Sequence, residues 1–145
     1  MIEPIFQFFN SFIILIWLLM FIRPYGKWTL AVLNSKWLWI FSGAIYATLL
    51  VGYSSKLDWM AMANPTYEGI TQLFAVPEVA AIAWIHLLIF DLLAGRYIVL
   101  KGMAQKRFIL PFLILTLMAG PLGFALYFIY DSLLDYRRGG QYNNL

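Results

Sequence analysis

The segment Pro77-Glu78-Val79-Ala80-Ala81-Ile82-Ala83-Trp84-Ile85-His86-Leu87-Leu88-Ile89-Phe90-Asp91-Leu92-Leu93-Ala94-Gly95-Arg96-Tyr97 pulls in two directions. It is long and apolar enough for a transmembrane helix, which needs about 20 mostly apolar residues. Yet Glu78, His86, Asp91 and Arg96 put four ionisable groups within nineteen positions. A charge inside a bilayer costs roughly 2.5–3.5 kcal/mol on insertion scales, so a plain anchor avoids them. At about 1.5 Å per residue, His86 lies a third of the way in and Asp91 near the middle. At about 100° per residue, Glu78 and Arg96 share an azimuth, His86 is about 80° round, and Asp91 points elsewhere. The four cannot cluster on their own helix, so partners must come from other spans.

The rest of the chain extends the membrane reading. Its 145 residues are 63% hydrophobic, 19% aromatic and 12% charged, with a mean hydropathy of +0.78. A soluble domain carries roughly 45–50% apolar and about 25% charged residues. Three further stretches have the composition of spans: 5–22, stopped by Arg23-Pro24; 37–53, between Lys36 and Lys56; and 108–130, between Lys106-Arg107 and Asp131. With 79–100 they predict an all-α, integral membrane four-helix bundle, one membrane domain over 1–145. Tyr25, Trp28, Trp37, Trp39, Tyr53, Trp59, Tyr97, Tyr127 and Tyr130 sit at span borders, as an interfacial aromatic belt requires. The first span has Glu3 before it, basic residues after it and no small-residue cleavage site, so it reads as an uncleaved anchor.

Basic residues set the expected orientation. Arg23, Lys27 and Lys36 lie in one short loop and Lys101, Lys106 and Arg107 in the other, against Lys56, Arg137 and Arg138 elsewhere. That bias puts loops 23–36 and 101–107 on the cytoplasmic or stromal side and both termini on the opposite side. The long loop 54–76 between spans two and three is expected to be interfacial or re-entrant, a lid over the outer ends of the bundle. Asn64-Pro65 reads as a helix start, with Ile70, Leu73 and Phe74 on one side of a short helix over 66–74.

Several chemistries are excluded. No cysteine means no disulfide or thiolate site, and one histidine with scattered carboxylates gives no metal-ligand spacing. There is no phosphate loop and no hydrolase motif, and the +3 charge sits at helix ends rather than on a nucleic-acid-binding face. The intramembrane groups each have a bland reading too. Glu78 suits the first turn of a helix. His86 can bond a neighbouring backbone or hydroxyl, Asp91 can pair with a basic residue, and Arg96 can snorkel. Gly120-Pro121 can be a packing kink. Read functionally, His86 is a general acid/base or an axial ligand to a pigment.

Pro77-Glu78, Trp84-x-His86, Phe90-Asp91-Leu92-x-x-Gly95-Arg96-Tyr97, then Gly120-Pro121-Leu122-Gly123 and Tyr127, resemble the abscisic-acid-deficient-four-like, or neoxanthin-synthase-like, membrane proteins. The pattern departs at Leu87 and at Leu93-Ala94, where the family often carries aromatics. With no transit segment before Met1, a prokaryotic member or a mature chain is expected. The resemblance implies a four-span protein of a thylakoid or plasma membrane that handles a carotenoid, in plants the conversion of violaxanthin to neoxanthin. That rearrangement is redox-neutral: a carbon beside an epoxide loses a proton, the epoxide opens, and an allene and a hydroxyl form. It needs a base, an acid and a dry site, and no cofactor. The implied catalytic residues are His86 as base, Glu78 or Asp91 as acid, and Arg96 for orientation, with Trp84, Phe90, Gly120 and Pro121 against the substrate. The competing reading is a non-enzymatic pigment-binding small subunit of a photosynthetic or other membrane complex, in which His86 ligates a chlorophyll magnesium. Membrane lipid, a bound carotenoid or chlorophyll, and self-association or a larger complex are the expected partners; nucleic acid is not.

Overall fold

The computed structural model describes residues 2–137, and every regular element among them is helical. The helices are α1 (Ile2–Ile22), α2 (Lys27–Leu33), α3 (Lys36–Gly52), α4 (Trp59–Ala63), α5 (Tyr67–Phe74), α6 (Pro77–Gln105), α7 (Leu110–Ala119) and α8 (Pro121–Arg137). A single 3₁₀ turn, Ser54–Lys56, follows α3. Among the described residues two compact units form, one from 2–15 and Val32–Phe90, the other from Ile16–Ala31 and 91–137.

In the first unit, α1 buries Phe9 and Ile13, and α3 buries Leu38, Ser42 and Leu49. Phe41 of α3 meets Phe8 and Phe12 edge-on, at 6.4 and 5.6 Å between ring centroids. Such pairs add about 0.5–1.5 kcal/mol beyond their buried area. Asn10 Oδ1 accepts from Trp84 Nε1 at 3.0 Å, while its Nδ2 donates back to Phe6 O. The segment between α3 and α6 is structured by its own caps. Asp58 accepts from Ala61 N at 2.9 Å to start α4, and Thr66 accepts from Gly69 N at 3.1 Å to start α5. The cap of the predicted short helix is therefore Thr66 rather than Asn64, because a threonine hydroxyl one residue after Pro65 reaches the first free N–H groups. Leu57, Leu73 and Val79 bury each other, with Leu50, Ile70 and Val76 packed around them.

In the second unit, α1 contributes Ile16, Trp17 and Met20 and α6 contributes Leu92, Ile98 and Val99 as buried apolar surface. Gly95 faces the Trp17 indole so closely that a Cβ would lie 2.8 Å from Cη2. α6 ends in a Schellman turn: Arg107 N donates to Gly102 O at 2.8 Å and Lys106 N to Met103 O at 3.3 Å. Lys106 takes the positive φ, 54°, that glycine usually fills.

The expected span over 108–130 is not one helix. Gly120, at φ 34° and ψ −98°, breaks it, and the chain doubles back. In a straight helix Phe112 and Tyr130 would stand about 27 Å apart. Their ring centroids are 4.8 Å apart, and Phe112 and Tyr127 are 5.7 Å apart. α7 and α8 thus form an antiparallel hairpin. Gly123 lets α8 approach α7 closely, since a Cβ there would run into the Thr116 backbone. Ion pairs fasten the open end. Asp131 takes Lys101 Nζ at 2.8 Å and Arg107 Nε at 3.4 Å, and Arg107 also holds Asp135. Arg138, used above to weigh orientation, lies outside the described residues.

Candidate functional site

A cavity of about 450 Å³ lies in the first unit between α3, the α4–α5 lid and the first half of α6. Its walls are aliphatic and aromatic, with Leu50, Met62, Phe74 and Ile82 among them. The lid helix presents Ile70, Leu73 and Phe74 to it, the three residues whose spacing puts them on one face. Two side chains bring polar atoms to this lining: Tyr46 of α3 and His86 of α6. Their rings are 5.4 Å apart at 50°, and the imidazole stacks on Phe90 at 4.6 Å and 29°. A phenol and an imidazole facing one apolar space form a pair able to take up and deliver a proton. The cavity volume falls in the range of small-molecule sites, with apolar walls and few convergent polar groups, and His86 itself is exposed.

The other expected site residues are dispersed. Glu78 is ion-paired to Lys56 at the first turn of α6. Trp84 is spent on Asn10 and is half-exposed. Asp91, Gly120 and Pro121 belong to the second unit, where the Asp91 carboxylate closes on the hairpin tip. A Cβ on Gly120 would meet Asp91 Oδ1 at 2.7 Å, so the glycine is required by both its φ and its neighbour. Arg96 is half-buried in the same unit. The structure thus brings together His86 with Phe90, and Asp91 with Gly120.

Two residues escaped the sequence reading. One is Tyr46, since nothing in the sequence places it opposite His86. Arg107 counted only toward orientation, yet its side chain is 2% exposed and joins two carboxylates. The signal for it was present: Asp131 and Asp135 stand one turn apart on α8, a spacing that offers both to one cation. Tyr25 completes that end, its hydroxyl donating to Arg107 O at 2.6 Å. Partial burial, with Tyr130 nearby, pushes the Tyr25 phenol up to about 12.

These features define a helical protein with two helices long and apolar enough to cross a membrane, Ile2–Ile22 and Pro77–Gln105, and an apolar cavity with an imidazole in its wall. The chain belongs to the ABA4-like family, described as ABA DEFICIENT 4-like, whose profile matches residues 4–127. It is 27% identical over 122 residues to Protein ABA DEFICIENT 4, chloroplastic, of Arabidopsis thaliana. That match covers 81% of this chain and 56% of the relative, so the chain spans little more than half of the plant protein. No solved structure matches.

Proposed function

We propose that this chain is an integral membrane protein that receives the end group of a carotenoid in the His86–Tyr46 cavity and isomerises it by proton transfer. Membrane insertion is supported by the surfaces of α1 and α6. Only 28% of the most apolar 18-residue stretch of each is buried, leaving residues such as Leu15, Leu18, Leu87 and Phe90 uncovered. At 29 residues α6 is about 43 Å long, more than the roughly 30 Å hydrocarbon core. In this arrangement α7–α8 re-enters rather than crosses, and its irregular tip is tolerable in lipid only because protein packs against it. Arg137 then lies on the side of Lys106 and Arg107, which sharpens the basic asymmetry.

The observation that carries the functional reading is the apolar cavity with a paired imidazole and phenol in its wall. His86 removes the proton from the carbon beside the epoxide. The electrons form the new double bond, the C–O bond breaks, and the oxygen takes a proton from the Tyr46 hydroxyl. Return of the proton from His86 to Tyr46 restores both groups, so the reaction consumes nothing and needs no cofactor. Tyr46 fits the acid role better than Glu78, which Lys56 holds as a carboxylate. The uncovered face beside His86, with Trp84, Leu87 and Phe90 more than a third exposed, favours one other reading: a pigment-binding subunit in which the imidazole ligates a chlorophyll.

Purified membranes carrying the wild-type chain and His86→Leu, supplied with epoxy-carotenoid, test the proposal. Product formation that falls at least a hundredfold in the variant, with carotenoid exchangeable in the wild type, supports it. Retained conversion in His86→Leu removes the base. Stoichiometric chlorophyll lost on the same substitution assigns the subunit reading instead.

A further inference from the structure

The turn between α1 and α2 encloses a second space, a cleft of about 290 Å³ lined by Leu19, Ile22, Arg23, Lys27, Trp28 and Thr29. The turn is built rather than loose. Gly26 N donates to Arg23 O at 2.9 Å, and Thr29 Oγ1 donates to Arg23 O at 2.7 Å and to Leu19 O at 3.3 Å. Its two cations are uncompensated. No acidic residue occurs between Glu3 and Asp58, and among the described residues neither Arg23 nor Lys27 is in an ion pair. Elsewhere in the chain Lys56, Lys101 and Arg107 all find carboxylates. The rim is apolar and open: Ile22 is 75% and Trp28 70% exposed, with Lys27 Nζ 5.5 Å from the indole centroid.

Two unpaired cations above an apolar rim match an anionic amphiphile: charge at the headgroup, hydrocarbon below it. We infer that the Arg23–Lys27 cleft is a binding site for the headgroup of an acidic membrane lipid, with Ile22 and Trp28 against its acyl and glycerol portions. The inference rests on the membrane reading above. The apolar rim selects a lipid over a free anion, which would gain nothing from Ile22 or the indole face.

The probes are phosphatidylglycerol and phosphatidylcholine added to the detergent-solubilised chain, with inorganic phosphate as the soluble anion. Lipid adducts by native mass spectrometry and thermal unfolding are the readouts. Phosphatidylglycerol should bind at least tenfold more tightly than phosphatidylcholine, and the preference should weaken with salt. R23Q/K27Q should abolish the preference, R23K/K27R should retain most of it, and K36Q, which removes the next cation along the sequence and not a lining residue, should leave it intact. An unchanged preference in R23Q/K27Q, or equal loss in K36Q, overturns the site, as does matching stabilisation by phosphate alone. Extraction of the same membranes with alkaline carbonate separates the two claims. A chain that stays in the pellet without lipid preference contradicts the cleft only, and a chain that is released contradicts the membrane reading.

Discussion

Tyr25 shows how a single side chain at the basic end contributes to stability. Its hydroxyl donates to Arg107 O, so the protonated form is the one the fold uses. A phenol whose pKa is raised on folding, from 10.0 to about 12, stabilises fully below pH 10 and loses that contribution as the pH rises through 12. Tyr25→Phe should therefore be less stable than wild type by about 1 kcal/mol at neutral pH, and the gap should close between pH 10 and 12. Thermal unfolding of both proteins across that range checks it; a gap that persists at pH 12 assigns the tyrosine's effect to packing alone. His86 stood out in the sequence because an ionisable residue within an apolar run requires an account, and it lines the cavity. Tyr46 did not, because an uncharged polar residue in a span is ordinarily helix glue and its partner is forty residues away.

Among the elements, the α7–α8 hairpin departs most from expectation. An apolar run interrupted by Gly120-Pro121 reads equally as a kinked span or as a reversal, since both free the same backbone groups. What decides is remote: Arg107 before α7 and the Asp131–Asp135 pair late in α8, joined only when the chain folds back. A buried ion pair broken on one side costs about 3–5 kcal/mol, which is enough to bias two short helices toward return. The glycines make the reversal sterically feasible. Gly123→Ala puts a methyl onto the Thr116 backbone, which cannot step aside, whereas Gly120→Ala meets φ strain and a movable carboxylate. Gly123→Ala should be the more destabilising by thermal unfolding in detergent, at 2 kcal/mol or more by order of magnitude, against about 1–2 kcal/mol for Gly120→Ala. The reverse ranking would mean that α7 and α8 are not packed as described. The helices at 2–22, 36–52 and 77–105 were legible because long apolar runs bounded by charge leave few alternatives.

For the molecule as a whole, the proposed insertion makes a countable prediction. The chain has no cysteine, so single cysteines report sides without background. In sealed vesicles, K106C and R137C should react with an impermeant maleimide from the same side, and S55C from the other. Labelling of K106C and R137C from opposite sides would restore a fourth crossing and refute the re-entrant hairpin. The central claim, that the space beneath the α4–α5 lid holds a carotenoid end group, is tested most directly by filling it. Ala83 lines that space, and Ala83→Phe adds bulk there without touching a hydrogen bond or an ion pair among the described residues. In membranes of a carotenoid-producing host, wild-type protein should copurify with pigment measurable by absorption. Ala83→Phe, unfolding at a similar temperature, should lose at least nine-tenths of it. Undiminished pigment in a well-folded Ala83→Phe protein would contradict the account.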